Sequence, residues 1–104
     1  MRRGTTPTNT FTMAIDLSEA TVFISYEQGR KIVIEKTNPD LTFTSDQQKY
    51  FITLELTQED TLKFAEGAVF IQIRYVFPTG DAGASNIITT TFDRIIKDGV
   101  ISAV

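Results

Sequence analysis

The chain lacks cysteine, histidine and tryptophan altogether over its 104 residues. Without cysteine there are no disulfides, no thiolate nucleophiles and no cysteine-ligated zinc, but the compartment stays open because a cysteine-free chain suits either redox environment. Without histidine there is no Ser-His-Asp or Cys-His arrangement and no imidazole base near neutral pH. We therefore expect a protein that is not an enzyme and holds no cofactor.

Long apolar runs and an excess of positive charge are also missing. The apolar runs are far shorter than the ~20 residues that span a bilayer, so no membrane segment is expected. Residues 4–9 are polar and small where a signal peptide would need an apolar stretch. The net charge is −3, and only Arg2 and Arg3 form a basic pair, which we interpret as a solvated chain end. Nucleic acid is therefore not an expected partner.

What the chain does have is the size and composition of one small β-rich domain. Its length is that of a single domain, and its 41% hydrophobic and 22% charged residues argue against disorder. The many Thr, Ile, Val and Phe residues favour strands, where branched and aromatic side chains pack well. We predict a single domain over 1–104, with an extended lead-in at 1–9 and a flexible tail at 98–104.

Apolar and polar residues alternate with period two along most of the chain, which predicts about seven short strands. Turn signals separate the strands at near-regular spacing, a pattern typical of an antiparallel β-sandwich. The longest and most apolar strand, at 69–77, is expected to lie centrally in its sheet. The residues predicted to face inward are Phe11, Met13, Ile15 and Leu17, then Val22, Ile24 and Tyr26, then Ile32 and Ile34, then Tyr50, Ile52, Leu54 and Leu56, then Val69, Ile71, Ile73, Tyr75 and Phe77, and finally Ile88, Thr90 and Phe92.

The hairpin between the second and third strands is predicted to have a three-residue loop at 28–30. That loop would pair Ile24 with Ile34 and keep the apolar residues of both strands on one face. It would leave Val33 on the outward face.

Alternation stops at residues 57–64, where we predict one helical turn. Thr57 can act as N-cap, with Glu59 and Asp60 in the first turn near the free backbone N–H groups. Glu55 and Glu66 complete the densest carboxylate cluster in the sequence. Neighbouring carboxylates on a short turn do not face each other across a cleft as a glycosidase pair does, and the alternating pattern of a calcium loop is missing. We interpret the cluster as capping and predict neither catalytic nor metal-binding residues.

Five apolar residues break the alternation by falling on the outward side of their strands. If several of them share one sheet, they form an apolar patch of the kind that marks protein interfaces. The alternative is that a loop or a terminus covers them. The residues of this candidate partner surface are Phe23, Val33, Phe51, Phe70 and Val76.

Several stretches, taken in order, resemble a group of small phage and prophage proteins of Gram-positive bacteria. They are Arg3–Thr8, Leu56–Thr61, Ile71–Arg74, Ser85–Ile88 and Asp98–Ile101. A weaker likeness is to the N-terminal domain of phage baseplate upper proteins. The resemblance implies a head, tail or baseplate component that binds other phage structural proteins or itself, in the virion or in the host cytoplasm during assembly. It supplies no functional residues.

A second resemblance concerns Asp60–Phe64, which is similar to the Asp-Thr-Ala-x-Tyr stretch of immunoglobulin domains. Phe64 lacks the hydroxyl of a tyrosine corner, so immunoglobulin-like topology is one alternative for the sandwich. The expected function is a non-enzymatic structural or protein-interaction module. A carbohydrate- or small-ligand-binding sandwich is the alternative, although it needs exposed aromatics and the three tyrosines are predicted to face inward.

Overall fold

A computed structural model describes residues 1–103 of the chain. The predicted all-β class and antiparallel sandwich are confirmed. The last strand, predicted to run from Ser85 to Phe92, begins only at Ile88, and a short additional strand precedes it at Ala82–Ala84. The elements are β1 (Thr8–Met13), β2 (Thr21–Gln28), β3 (Lys31–Thr37), a 3₁₀ turn (Asn38–Asp40), β4 (Leu41–Asp46), β5 (Lys49–Glu55), α1 (Gln58–Leu62), β6 (Gly67–Val76), β7 (Ala82–Ala84) and β8 (Ile88–Phe92).

The strands form two sheets that enclose one apolar core. One sheet has three strands in the order β1-β5-β4. The other has five, in which β3 pairs with β2, β2 with β6, and β6 with both β7 and β8. Strand β6 is internal in its sheet, as predicted.

Alternation correctly predicted the buried faces of β2, β5 and β6. Val22, Ile24 and Tyr26 of β2 are fully buried, and so are Ile52 and Leu54 of β5 to within 1%. The same pattern was wrong at Ile15, because β1 ends at Met13 and the Ile15 side chain beyond it is 41% exposed. Leu17 follows in the same loop but turns back into the core. Alternation was also wrong at Ile88, which was predicted inward but is 39% exposed at the start of β8, beside the cleft between β1 and β8.

The predicted three-residue hairpin loop between β2 and β3 is wrong. Gln28 pairs with Lys31, and the turn is the residue pair Gly29 and Arg30, both with positive φ. A β-bulge then adds one residue to β3, because Tyr26 lies opposite Ile34 and the next residue of β2 lies opposite Ile32. The bulge keeps Ile34 buried and turns Ile32 outward, where its side chain is 59% exposed.

The centre of the core combines aromatic packing with one buried hydroxyl. Phe64 stacks on Phe92 with ring centroids 4.5 Å apart and tilts against Tyr26 at 6.2 Å. The Tyr26 hydroxyl accepts a 2.7 Å hydrogen bond from the Asn9 side-chain amide. Burial raises the pKa of Tyr26 to about 12, although this hydrogen bond acts in the opposite direction. The hydroxyl therefore stays protonated within the sandwich.

The interpretation of Arg3 as part of a solvated chain end is wrong. Its guanidinium donates hydrogen bonds to the carbonyl of Leu62, the last residue of α1, and to the carbonyl of Phe64, two residues later. Carbonyl groups there have no partner within the helix, so a cation is favourable at that end. Backbone hydrogen bonds between Arg3 and Asp93 and between Asp93 and Met1 hold the same segment beside the end of β8. Arg2, in contrast, is exposed.

The turn between β4 and β5 is a testable weak point. Gln47 and Gln48 form a two-residue turn with φ of 48° and 68°, a conformation that suits Asn-Gly far better than Gln-Gln. We expect Gln47→Asn with Gln48→Gly to raise the free energy of unfolding by about 0.5–1 kcal/mol in chemical denaturation.

The matched control is Gly29→Ala in the other two-residue turn. There φ is +62° and an added Cβ meets no atom within 4 Å, so any change reports backbone strain alone. A loss of stability of about 1 kcal/mol is expected. Unchanged stability in both variants would contradict the strain argument.

Candidate functional site

Asp60 in the carboxylate cluster caps α1, as the capping interpretation predicted. The Thr57 hydroxyl accepts a 3.0 Å hydrogen bond from the backbone N–H of Asp60, and the Asp60 carboxylate accepts one of 3.0 Å from the backbone N–H of Thr57. These reciprocal bonds make a capping box. Glu59 in the same turn is exposed.

Asp60 also receives a cation from the opposite sheet. Lys36 lies on the inward side of β3, opposite Ile24, and its ammonium is 3.0 Å from the carboxylate. Burial acts to raise the pKa of Asp60, but hydrogen bonds from Thr57 and Lys36 outweigh it and hold the pKa below its usual 3.8. A carboxylate that is ionised and fully engaged in this way serves the fold. Across residues 1–103 no cluster of three acidic side chains is arranged to hold a metal ion.

The glycine-containing loop after β6 connects β6 and β7 as a hairpin. The Phe77 N–H donates to the Asp81 carbonyl at 2.8 Å, and Gly80 has a φ of 96°. In β7, Gly83 lies opposite Tyr75, whose ring occupies the space where a side chain at position 83 would be. Gly83 is thus required by packing against an aromatic ring.

The outer face of the five-stranded sheet is where the chain presents apolar residues to solvent. Phe23 of β2 and Phe70 of β6 are 36% and 39% exposed, and Val76 is half-buried. All three line one depression of about 350 Å³. These three residues, predicted to face outward, lie on one face of one sheet.

The other two predicted members of the surface lie elsewhere. Val33 is the extra residue of the bulge and packs partly buried against the core, so its predicted outward orientation is wrong. Phe51 belongs to β5 in the three-stranded sheet and does not line this depression.

Two isoleucines that sequence reasoning missed complete the apolar rim. Ile32 is turned outward by the bulge and is 59% exposed, and Ile87 lies in the interruption between β7 and β8 and is 62% exposed. At the interruption, the Ser85 hydroxyl accepts a hydrogen bond from the Ile73 N–H at 3.0 Å, where a regular strand would offer a backbone carbonyl. The sequence signal for Ile87 was the doubled Ile87-Ile88, which breaks alternation.

Polar groups divide the depression into two apolar ends. Ser25 lies opposite both Gln72 and Glu35, and its hydroxyl donates to the Glu35 carboxylate at 3.1 Å. Phe23 lies two residues before Ser25 on β2, and Phe70 lies opposite Glu27, two residues after Ser25. Phe23 and Phe70 are therefore four residue positions, or ~13 Å, apart along the strands. Arg74 is opposite Phe23. The arrangement offers two apolar contact areas, with the charged side chains of Glu35 and Arg74 beside them.

Comparison with known proteins identifies no relative of this chain. No family model matches the chain, and neither a curated protein nor a solved structure matches it. Within residues 1–103, no helix has both the length and the apolar character needed to cross a membrane.

The Asp60 interaction gives a pH-dependent prediction. At pH 7, Asp60→Asn removes the charge that pairs with Lys36, and we expect a loss of about 2 kcal/mol in unfolding free energy. Because the folded pKa is below 3.8, the wild-type advantage is full above about pH 4 and disappears as the pH falls through that lower value.

Urea denaturation of both proteins from pH 7 to pH 2.5 measures this convergence. Glu59→Gln is the control, since it removes an exposed first-turn carboxylate without a partner bond and should cost under about 0.5 kcal/mol. An Asp60→Asn deficit that does not change with pH would contradict the ionic explanation.

Proposed function

We propose that the chain is a non-enzymatic protein-interaction module that binds its partner through the outer face of the five-stranded sheet. The observation that carries the proposal is the convergence of four large, partly exposed apolar side chains on one depression. These residues are Phe23, Ile32, Phe70 and Ile87. Exposed apolar patches bordered by polar residues are typical of protein interfaces.

Burial of the exposed apolar side chains would contribute favourably to binding at this surface. The exposed fractions of the four side chains, 36%, 59%, 39% and 62%, amount to about two whole side chains. Burying them is worth on the order of 3–6 kcal/mol. That gain exceeds the modest contribution of rim charges, so the apolar ends supply affinity while Glu35 and Arg74 set orientation.

We place the partner among phage structural proteins, which rests on the sequence resemblance alone. The chain would then be a component of the virion or of an assembly intermediate. Mass spectrometry of purified virions and of complexes from an induced lysogen tests this placement. Presence in particles supports it, and absence from particles and from every intermediate overturns it.

A small-ligand or carbohydrate site is the second candidate, favoured by the size of the same depression. About 350 Å³ lies within the range of ~300–1,000 Å³ for ligand pockets, and charged, amide and aromatic groups all line it. A glycan array separates the two functions, because saturable binding to one glycan class would favour the ligand site over a protein interface.

The interface proposal predicts the effect of Phe23→Ser combined with Phe70→Ser. Removing both aromatic anchors should weaken capture of the partner by more than about tenfold, since hot-spot truncations cost 2 kcal/mol or more. The binding can be measured by quantitative pull-down with a phage structural protein found by the mass spectrometry above.

The matched control is Ile96→Ser, which also removes exposed apolar surface. Ile96 is 95% exposed and does not line the depression. Unchanged binding in the double variant, with folding verified by circular dichroism, would refute the role of the outer face.

A further inference from the structure

One side of the sandwich ends in β1 and β8. Residues 1–3 hydrogen-bond to the end of β8 at Thr91 and Asp93, whereas the outer edge of β1 is open. Strand β1 pairs with β5 on one edge, and within residues 1–103 no strand pairs with its other edge. Strand β8 pairs with β6, and beyond it only residues 1–3 run alongside, close to Asp93. A cleft of about 750 Å³ lies between β1 and β8, with Ile71 and Ile73 also lining it.

The residues of β1 and β8 themselves include none of the side chains that normally prevent strands from pairing between chains. Strand β1 has the sequence Thr-Asn-Thr-Phe-Thr-Met and β8 the sequence Ile-Thr-Thr-Thr-Phe, with no charge, proline or glycine in either. The register of β1 against β5 is continuous over six residue pairs, with no bulge. A regular, uncharged edge is a template for another strand.

The edge strands on the opposite side of the sandwich are protected. Strand β3 contains Lys31, Glu35 and Lys36 in seven residues, and the β2–β3 bulge interrupts its ladder. Lys36 is an inward-pointing charge, a recognised device against edge pairing. Strand β4 begins directly after Asp40 and ends at Asp46, so a charge lies at each end of its edge. The contrast within one molecule singles out the side formed by β1 and β8.

We propose that β1 pairs antiparallel with β1 of a second copy of this chain. The pairing joins two three-stranded sheets into one continuous sheet of six strands. An antiparallel two-fold pairing centred on Phe11 places Thr10 opposite the second copy's Thr12, a favourable cross-strand pair, and keeps inward residues on the inward side.

The charge of the chain favours the second copy at this edge over any other contact between copies. Each chain carries −3, so two copies repel wherever their acidic surfaces meet. Strand β1 lets them meet over a length of ~20 Å with no charge facing another. The second copy would also cover apolar surface in the cleft, where Ile88 is 39% exposed and Met13 is half-buried.

The dimer is independent of the proposed partner surface. Strand β1 lies in the three-stranded sheet, whereas Phe23 and Phe70 lie on the outer face of the other sheet. A substitution on β1 can therefore abolish the dimer without touching the partner surface, and the two ideas fail separately.

The test compares Thr10→Lys with Thr42→Lys by sedimentation equilibrium. Thr10 and Thr42 are both exposed, and each is paired with Thr53 of the central strand β5. Thr10 lies on the open edge strand β1, and Thr42 lies on the protected edge strand β4. Wild type and Thr42→Lys should sediment at twice 11.6 kDa. Thr10→Lys should weaken the dimer at least about tenfold, because charges on an edge oppose pairing.

Hydrogen exchange supplies a second readout that does not depend on a variant. Amides of β1 should gain protection as the protein concentration rises, and amides of β4 should not. A wild-type monomer at about 1 mM, a concentration that reveals even weak association, would overturn the proposal. So would a dimer that survives Thr10→Lys but is lost with Phe23→Ser and Phe70→Ser, since that result would place the contact on the outer face.

Discussion

The rest of the sandwich depends on the interaction between Asp60 and Lys36. Helix α1 carries the chain from the three-stranded sheet to the five-stranded sheet, and Asp60 both caps that helix and binds a lysine on the far sheet. Arg3 secures the other end of α1 through the Leu62 and Phe64 carbonyls. A polar side chain also holds the crossing from β3 to β4. The Asn38 side chain hydrogen-bonds to the backbones of Ala20 and Val22 at 2.8 and 2.7 Å. Polar side chains thus fix where the chain changes sheets, and apolar packing fills the space between.

This arrangement determines which residues reach the outer face. Phe64 follows α1 and packs between Tyr26 and Phe92, which holds β2 inward at Tyr26. Side chains on a strand alternate, so fixing Tyr26 and Ile24 inside forces Phe23 and Ser25 outside. The candidate surface is therefore a consequence of the core: any shift of β2 by one residue would exchange a fully buried tyrosine for a serine.

Sequence patterns predicted the parts of this structure that depend on local order. Alternation gave the buried faces of β2, β5 and β6, and the Thr57 cap was visible because a capping box lies within four residues. The bulge that exposes Ile32 was not predictable, since an extra residue at Val33 leaves the apolar composition unchanged. Arg3 was misjudged because its partners lie about 60 residues away in the chain.

The proposed pairing of two β1 strands would orient the outer faces of both copies in the same direction. In a continuous six-stranded sheet, equal parity across the β1 pairing places the inward faces of both copies on the same side. Both five-stranded sheets then lie on that side, and their outer faces point in one direction. A partner with two or more matching sites would bind both at once, and the second contact forms at the high effective concentration of a linked site. Under the two proposals, an interface worth only a few kcal/mol per copy would gain affinity because two copies bind together.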